Sequence, residues 1–132
     1  MVNGIFINLP IANLARSVEF FTGLGFTFNP QFTSEDTTCM IIGDNMYAML
    51  LENERFAGFM DKPIAAPSTS EVLIALALDS AEEVRQMAEK AFELGARRYK
   101  ESEDMQFMYQ WGFEDLDGHI WELFWMDPSY VE

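Results

Sequence analysis

Cysteine, histidine and basic side chains are scarce in this chain. Of its 132 residues one is cysteine, Cys39, one is histidine, His119, and 8 Lys and Arg stand against 22 Asp and Glu. A lone cysteine excludes an intrachain disulfide and any disulfide framework, so a reducing cytoplasm is the expected compartment. A lone histidine excludes, within one chain, the two-histidine, one-carboxylate set of ferrous oxygenases and a histidine-rich zinc site. The formal charge of −14 repels phosphate backbones and anionic headgroups. Neither nucleic acid nor an acidic membrane is an expected partner. The N-terminal residues Met1 to Phe6 include no basic side chain, and the longest aliphatic run, Val72 to Leu78, is far short of the ~20 residues of a membrane span. Export and membrane insertion are not signalled.

What is present is apolar material. Hydrophobic residues make up 49% of the chain and charged residues 23%, which is enough for a packed core and argues against disorder as the main state. Ile5, Ile7, Leu9 and Ile11 alternate as in a half-buried strand. Asn13 then offers an N-cap, Leu14, Val18 and Phe21 recur at helical spacing, and Gly23-Leu24-Gly25 ends the helix. Strands are expected over Phe26 to Phe32, Thr38 to Ile42 and Met46 to Leu51, the last two joined at the turn Gly43-Asp44-Asn45.

That order recurs in the second half. Val72 to Leu78 reads as a strand, Ser80-Ala81-Glu82-Glu83 as a capping box, and Val84, Met87, Ala88, Ala91 and Leu94 as the inward face of a helix closed by Gly95. Ala96 to Lys100, Phe107 to Glu114 and His119 to Met126 then read as three strands. Asn13 aligns with Ser80, Leu24 with Leu94 and Asp44 with Asp117, shifts of 67, 70 and 73 residues that call for small insertions in the second copy. A βαβββ unit occurring twice accounts for this pattern. The alternative is a single antiparallel sheet with helices and no duplication. The expected division is unit one over about 4–52, a connection over 52–70 with Pro63, Pro67 and a short helix near Arg55 to Met60, and unit two over about 71–127, all in one domain, 1–132.

Two segments in this order carry a family resemblance. Asn13-Leu14-Ala15-Arg16-Ser17-Val18-Glu19-Phe20-Phe21, followed by Leu24-Gly25-Phe26, resembles the opening helix of the vicinal oxygen chelate superfamily. Asp115-Leu116-Asp117-Gly118-His119-Ile120-Trp121-Glu122-Leu123 resembles its closing Asp-x-Asp-Gly-x-x-x-Glu-Leu hairpin. The superfamily includes glyoxalase I, extradiol dioxygenases and bleomycin resistance proteins, and the nearest likeness is to small bacterial proteins labelled as lactoylglutathione lyases. The resemblance implies an α+β fold in which two tandem βαβββ units form an incomplete barrel with a concave ligand cleft, the glyoxalase/bleomycin resistance/dioxygenase fold. It also implies a homodimer.

Alternation along the implied strands then assigns side chains to the cleft. Phe6 and Asn8 are expected there from the first strand, Tyr47 and Met49 from the fourth, Leu73 from the fifth and Phe124 from the last, with Tyr109 and Trp111 completing the set of ligand-binding residues. Glu122, between Ile120 and Phe124, is the candidate catalytic residue: a carboxylate on an apolar concave face is desolvated, which raises its pKa and suits it to a general base or cation anchor.

Metal-using relatives carry ligands at four positions that fall here on Phe6, Met49, Leu73 and Glu122; a slip in alignment brings in Asn8 or Glu52 but no histidine. Only Glu122 is a ligand for a hard divalent ion. No cofactor is therefore expected, the alternative being a divalent metal ion held in part by Glu122. His119 is expected on the face opposite Glu122, and Cys39 as a buried small hydrophobe. No nucleophile elbow or phosphate-cradling glycine loop is present. The expected function is binding of a small organic molecule, cationic or aromatic, without metal; the rival is a glyoxalase-like lyase or isomerase with an atypical metal site and Glu122 as ligand or base. Extradiol cleavage is not expected.

Overall fold

Strand β1 (Ile5–Ile11) buries Leu9 and Ile11 and leaves Phe6 and Asn8 exposed as expected, but Ile5, at the open end of the strand, is also exposed and Ile7 only half-buried. In the computed structural model, which describes residues 1–130, Asn13 follows in an extended conformation and its side chain accepts from the Arg16 amide at 2.9 Å. This opens helix α1 (Leu14–Gly23), which buries Leu14, Ser17, Phe20 and Phe21. At its end the Gly25 amide donates to Thr22 O and the Phe26 amide to Phe21 O, with Gly25 at φ +102°. Only glycine reaches that conformation cheaply.

Strands β2 (Thr27–Asn29), β3 (Thr37–Gly43) and β4 (Met46–Glu52) complete the first sheet in the order β1-β4-β3-β2, with β1 and β4 parallel and the other pairs antiparallel. The expected strand Phe26 to Phe32 is cut to three residues. Pro30 has no amide to give to a ladder, and Asn29 instead caps a 3-10 turn over Pro30–Phe32 by accepting from the Gln31 amide at 2.9 Å. A short helix, α2 (Asn53–Ala57), follows β4.

The second unit repeats this order. Strand β5 (Leu73–Ala77) leads to Ser80, whose hydroxyl accepts from the Glu83 amide at 3.1 Å and opens helix α3 (Ala81–Glu93). Glu83 returns a bond, to the amide of Asp79 rather than of Ser80. Val84, Ala88 and Ala91 are buried, and α3 ends as α1 does, with the Gly95 amide on Phe92 O, the Ala96 amide on Ala91 O and Gly95 at φ +110°. Strands β6 (Glu103–Asp104), β7 (Met108–Glu114) and β8 (Ile120–Met126) give the order β5-β8-β7-β6, again with one parallel pair, β5 and β8. Identical strand order, identical pair orientation and matching helix ends identify two tandem βαβββ units, an α+β fold. The chain divides at Ile64/Ala65, inside the expected connection.

The expected strand Ala96 to Lys100 reduces to one bridged pair, Arg97 with Glu114. Arg97, Arg98, Lys100 and Glu101 leave it no apolar alternation to hold a longer ladder, and pairing resumes at β6. Among the described residues no helix is long and apolar enough to cross a membrane.

Candidate functional site

In the first unit, strand register puts Phe6 opposite Tyr47 and Asn8 opposite Met49. These four expected site residues therefore share the sheet face that looks away from Leu9, Ile11, Ala48 and Leu50. The rings of Phe6 and Tyr47 stack at 4.6 Å and 19°, although Phe6 stays 50% exposed. The Asn8 amide turns back and donates to Phe6 O at 3.3 Å. Cys39, opposite Met49, is fully buried, and burial pushes its thiol pKa up. It is a small hydrophobe in this setting.

In the second unit, β8 presents Ile120, Glu122 and Phe124 on one face. Register pairs Glu122 with Ala75 of β5 on one side and Gly112 of β7 on the other, so the carboxylate stands between the two smallest side chains available. Leu73, paired with Ile120, lies on this face and is 61% exposed; Phe124 lies there between Ala77 and Gln110. Partial burial pushes the Glu122 pKa up, by desolvation. Gly112 owes its identity to crowding. A Cβ there would stand 2.7 Å from Trp121 O, 2.8 Å from Glu122 Oε2 and 2.8 Å from Tyr99 Oη.

Tyr99 was not among the expected site residues. Its hydroxyl lies no more than twice that 2.8 Å from the Glu122 carboxylate, is buried, and has no hydrogen-bond partner among the described residues. The bridge of Arg97 with Glu114, seen only in the structure, places Tyr99 two residues on toward the Glu122 face.

Tyr109 and Trp111 need correction. They pair with Trp125 and Leu123, on the opposite face from Glu122, because odd positions of β7 are out of phase with Gln110 and Gly112. Trp111 is 7% exposed and meets Phe92 of α3 edge-on at 5.3 Å, while Arg85 of α3 sits 6.0 Å from the Tyr109 ring. Both belong to the helix-packed side. Glu52 is also turned away from the Phe6 face: its Oε2 accepts from the Leu14 amide at 2.8 Å and caps α1. His119 precedes β8, and its amide donates to Asp115 Oδ1 at 3.0 Å.

Asp115 is the structural centre of the closing motif. Only 6% exposed, it accepts from the amides of Asp117 and His119 at Oδ1 and from Trp121 Nε1 at Oδ2, at 2.9, 3.0 and 2.9 Å. Burial pushes its pKa up, and these bonds and the nearby His119 oppose the rise. The motif thus builds the turn that launches Glu122 on β8.

The four positions that the family resemblance matches to metal ligands carry Phe6 and Met49 in the first unit and Leu73 and Glu122 in the second. Phenylalanine and leucine offer no lone pair, and a thioether is a poor partner for a hard divalent ion. Among the described residues no three His, Cys, Asp or Glu side chains come together in a metal-holding group. In neither unit do these residues fit a hard divalent metal.

Comparison with known proteins agrees with the geometry. The family model described as bleomycin resistance protein-like N-terminal matches residues 5–43. A hypothetical protein, SA1046, of S. aureus is 30% identical with a TM-score of 0.80, over 94% of this chain and 94% of its own. A glyoxalase-related enzyme from Fulvimarina pelagi is 19% identical with a TM-score of 0.77, over 91% and 85%. The fosfomycin resistance protein FosX from Mesorhizobium loti is 18% identical with a TM-score of 0.70, over 98% and 97%. No curated protein matches the sequence. The chain has the fold of the glyoxalase, bleomycin resistance and dioxygenase proteins, and its residues 5–43 match the bleomycin resistance protein-like model.

Proposed function

We propose that this protein binds a small organic molecule, aromatic or cationic, on the sheet face of Glu122, without using a divalent metal. The observation that carries the reading is the Glu122 carboxylate itself, desolvated between Ala75 and Gly112 on a face that also carries Leu73, Ile120 and Phe124, with Gln110 and Glu114 along β7. A charge on apolar surroundings is costly unless something compensates it, and a ligand cation or hydrogen-bond donor does so. The stacked, half-exposed Phe6 and Tyr47 supply a second aromatic surface suited to flat or cationic groups. Relatives named for resistance to bleomycin and fosfomycin give small-molecule handling a precedent in this fold. A thermal-shift panel of cationic glycopeptides and planar aromatic compounds tests the reading. It predicts a saturable rise in melting temperature with at least one member; no rise with any, from folded protein, removes its support.

A second reading rests on the raised pKa of Glu122, which suits a general base in a lyase or isomerase. Elemental analysis of protein purified without chelator separates the two, since stoichiometric nickel, zinc, manganese or iron favours the enzyme. We further propose a cytoplasmic homodimer. Exposed apolar side chains at Ile5, Phe6, Met46 and Leu73 are consistent with such an assembly, and analytical ultracentrifugation tests it: sedimentation at the mass of one chain counts against the dimer.

A further inference from the structure

We propose that Asn3 is a site of spontaneous covalent modification in the folded protein, its side-chain amide passing through a cyclic imide to aspartate and isoaspartate. Of the asparagines in the chain only Asn3 is followed by glycine, Gly4. With no side chain to shield it or restrict its dihedrals, the Gly4 nitrogen can turn toward the Asn3 side-chain carbonyl. The structure leaves this segment free to do so. Asn3 is exposed, residues 1–4 precede β1 and lie outside every helix and strand, and neither Asn3 nor Gly4 makes a hydrogen bond among the described residues. Backbone bonding starts one residue later, where the Ile5 amide donates to Asn45 O at 3.0 Å.

The reaction consumes only water. The Gly4 nitrogen gives its proton to hydroxide and attacks Asn3 Cγ; the N–Cγ bond forms as Cγ–Nδ2 breaks, and Nδ2 leaves as ammonia. Water then opens the ring at either carbonyl. Attack at Cγ restores the ordinary peptide link and leaves aspartate, whereas attack at the main-chain carbonyl leaves the chain joined through Cγ, as isoaspartate. Either product carries a carboxylate in place of a neutral amide and adds one negative charge to the −14. Isoaspartate also lengthens the main chain by one carbon just ahead of β1.

The sequence holds a second dipeptide of this kind, Asp117-Gly118, where an aspartate closes the same ring with loss of water. The fold withholds it. The Gly118 amide is engaged with Asp115 O at 3.1 Å, the Asp117 amide with Asp115 Oδ1 at 2.9 Å, and Pro67 lies against Gly118, its carbonyl oxygen 3.3 Å from where a Cβ would stand. Ring closure there must break the bond that the Gly118 nitrogen donates and move the turn that precedes β8.

The test is incubation of the intact chain in oxygen-18 water at mildly alkaline pH, folded and guanidinium-unfolded side by side, with peptide mass spectrometry over time. Each conversion is read as one incorporated label. Folding is expected to change the rate at Asn3 by less than about twofold and to slow Asp117 by about tenfold or more. Gly4→Ala is expected to fold, because its Cβ would meet Asn45 O at 3.5 Å and Asn45 Cβ at 3.8 Å, ordinary contacts. It is expected to slow Asn3 by about tenfold in the folded chain. Asn3 slowed by folding as strongly as Asp117, or a rate at Asn3 unchanged by Gly4→Ala, overturns the proposal.

Discussion

Asp115 and Glu122 are two carboxylates seven residues apart whose pKa values are both pushed up by burial, yet they do different work. Asp115 is satisfied by three donors, so its role is architectural. Asp115→Ala strands two amides and the Trp121 indole in a buried turn and is expected to cost about 2–4 kcal/mol in urea unfolding; Trp121→Phe, which removes one of those bonds and leaves the carboxylate two donors, is expected to cost less. Among the described residues Glu122 has no such set of donors. Its folded pKa lies above the ordinary value near 4.5, so the native state is favoured by protonation. Stability from this group is fully present below the unfolded value and is lost as pH rises through the folded one. Glu122→Gln abolishes that loss. Urea titrations at pH 4 and pH 7.5 should show the variant gaining on the wild type as pH rises, and equal pH profiles would mean that the carboxylate is fully solvated.

Between elements, the coupling of β4 to α1 through Glu52 is the least expected feature. A carboxylate at a strand end accepts from the first amide of a helix 38 residues earlier, adding a long-range cap to the local one from Asn13. Glu52→Ala is expected to destabilise by about 1 kcal/mol, and Ser80→Ala, which removes the local cap of α3, by a similar amount; circular dichroism melts measure both. Caps and stops were legible in the sequence because Asn13, Ser80, Gly25 and Gly95 each have a short-range reason for their place. The face that each expected site residue of β1, β4, β5 and β8 takes followed from side-chain alternation, but the pairing register did not, because β4 and β5 are apolar nearly throughout. Strand β7 misled because Tyr109 and Trp111 look like ligand-facing aromatics, whereas they belong, with the buried Phe113, to the face that packs on α3, and Gly112 lies on the other. Tyr99 was hidden because its segment forms only one bridge, and strand reasoning has little hold where charged residues interrupt the pattern.

For the molecule as a whole, the acidic surplus and the missing ligands matter more than any one contact. The described ion pairs, three of them local and one, Arg97–Glu114, between segments, draw only on cations already counted in the net charge, so the whole −14 is uncompensated within the chain. Self-repulsion of that charge is screened by salt. The melting temperature is therefore expected to rise with sodium chloride between low and physiological ionic strength, and a fall would mean that ion pairs dominate. The same surplus favours cationic ligands in the encounter step. Of the residues the family resemblance sets at metal positions, Phe6, Met49, Leu73 and Glu122, only Glu122 offers a hard-ion ligand. The most direct measurement is calorimetric titration of chelator-dialysed protein with proflavine, a planar aromatic cation. The account predicts saturable heat that is unchanged by EDTA and an affinity lowered about tenfold, or 1.4 kcal/mol, in Glu122→Gln. Heat that appears only after a divalent metal is added, or that is untouched by Glu122→Gln, would contradict it.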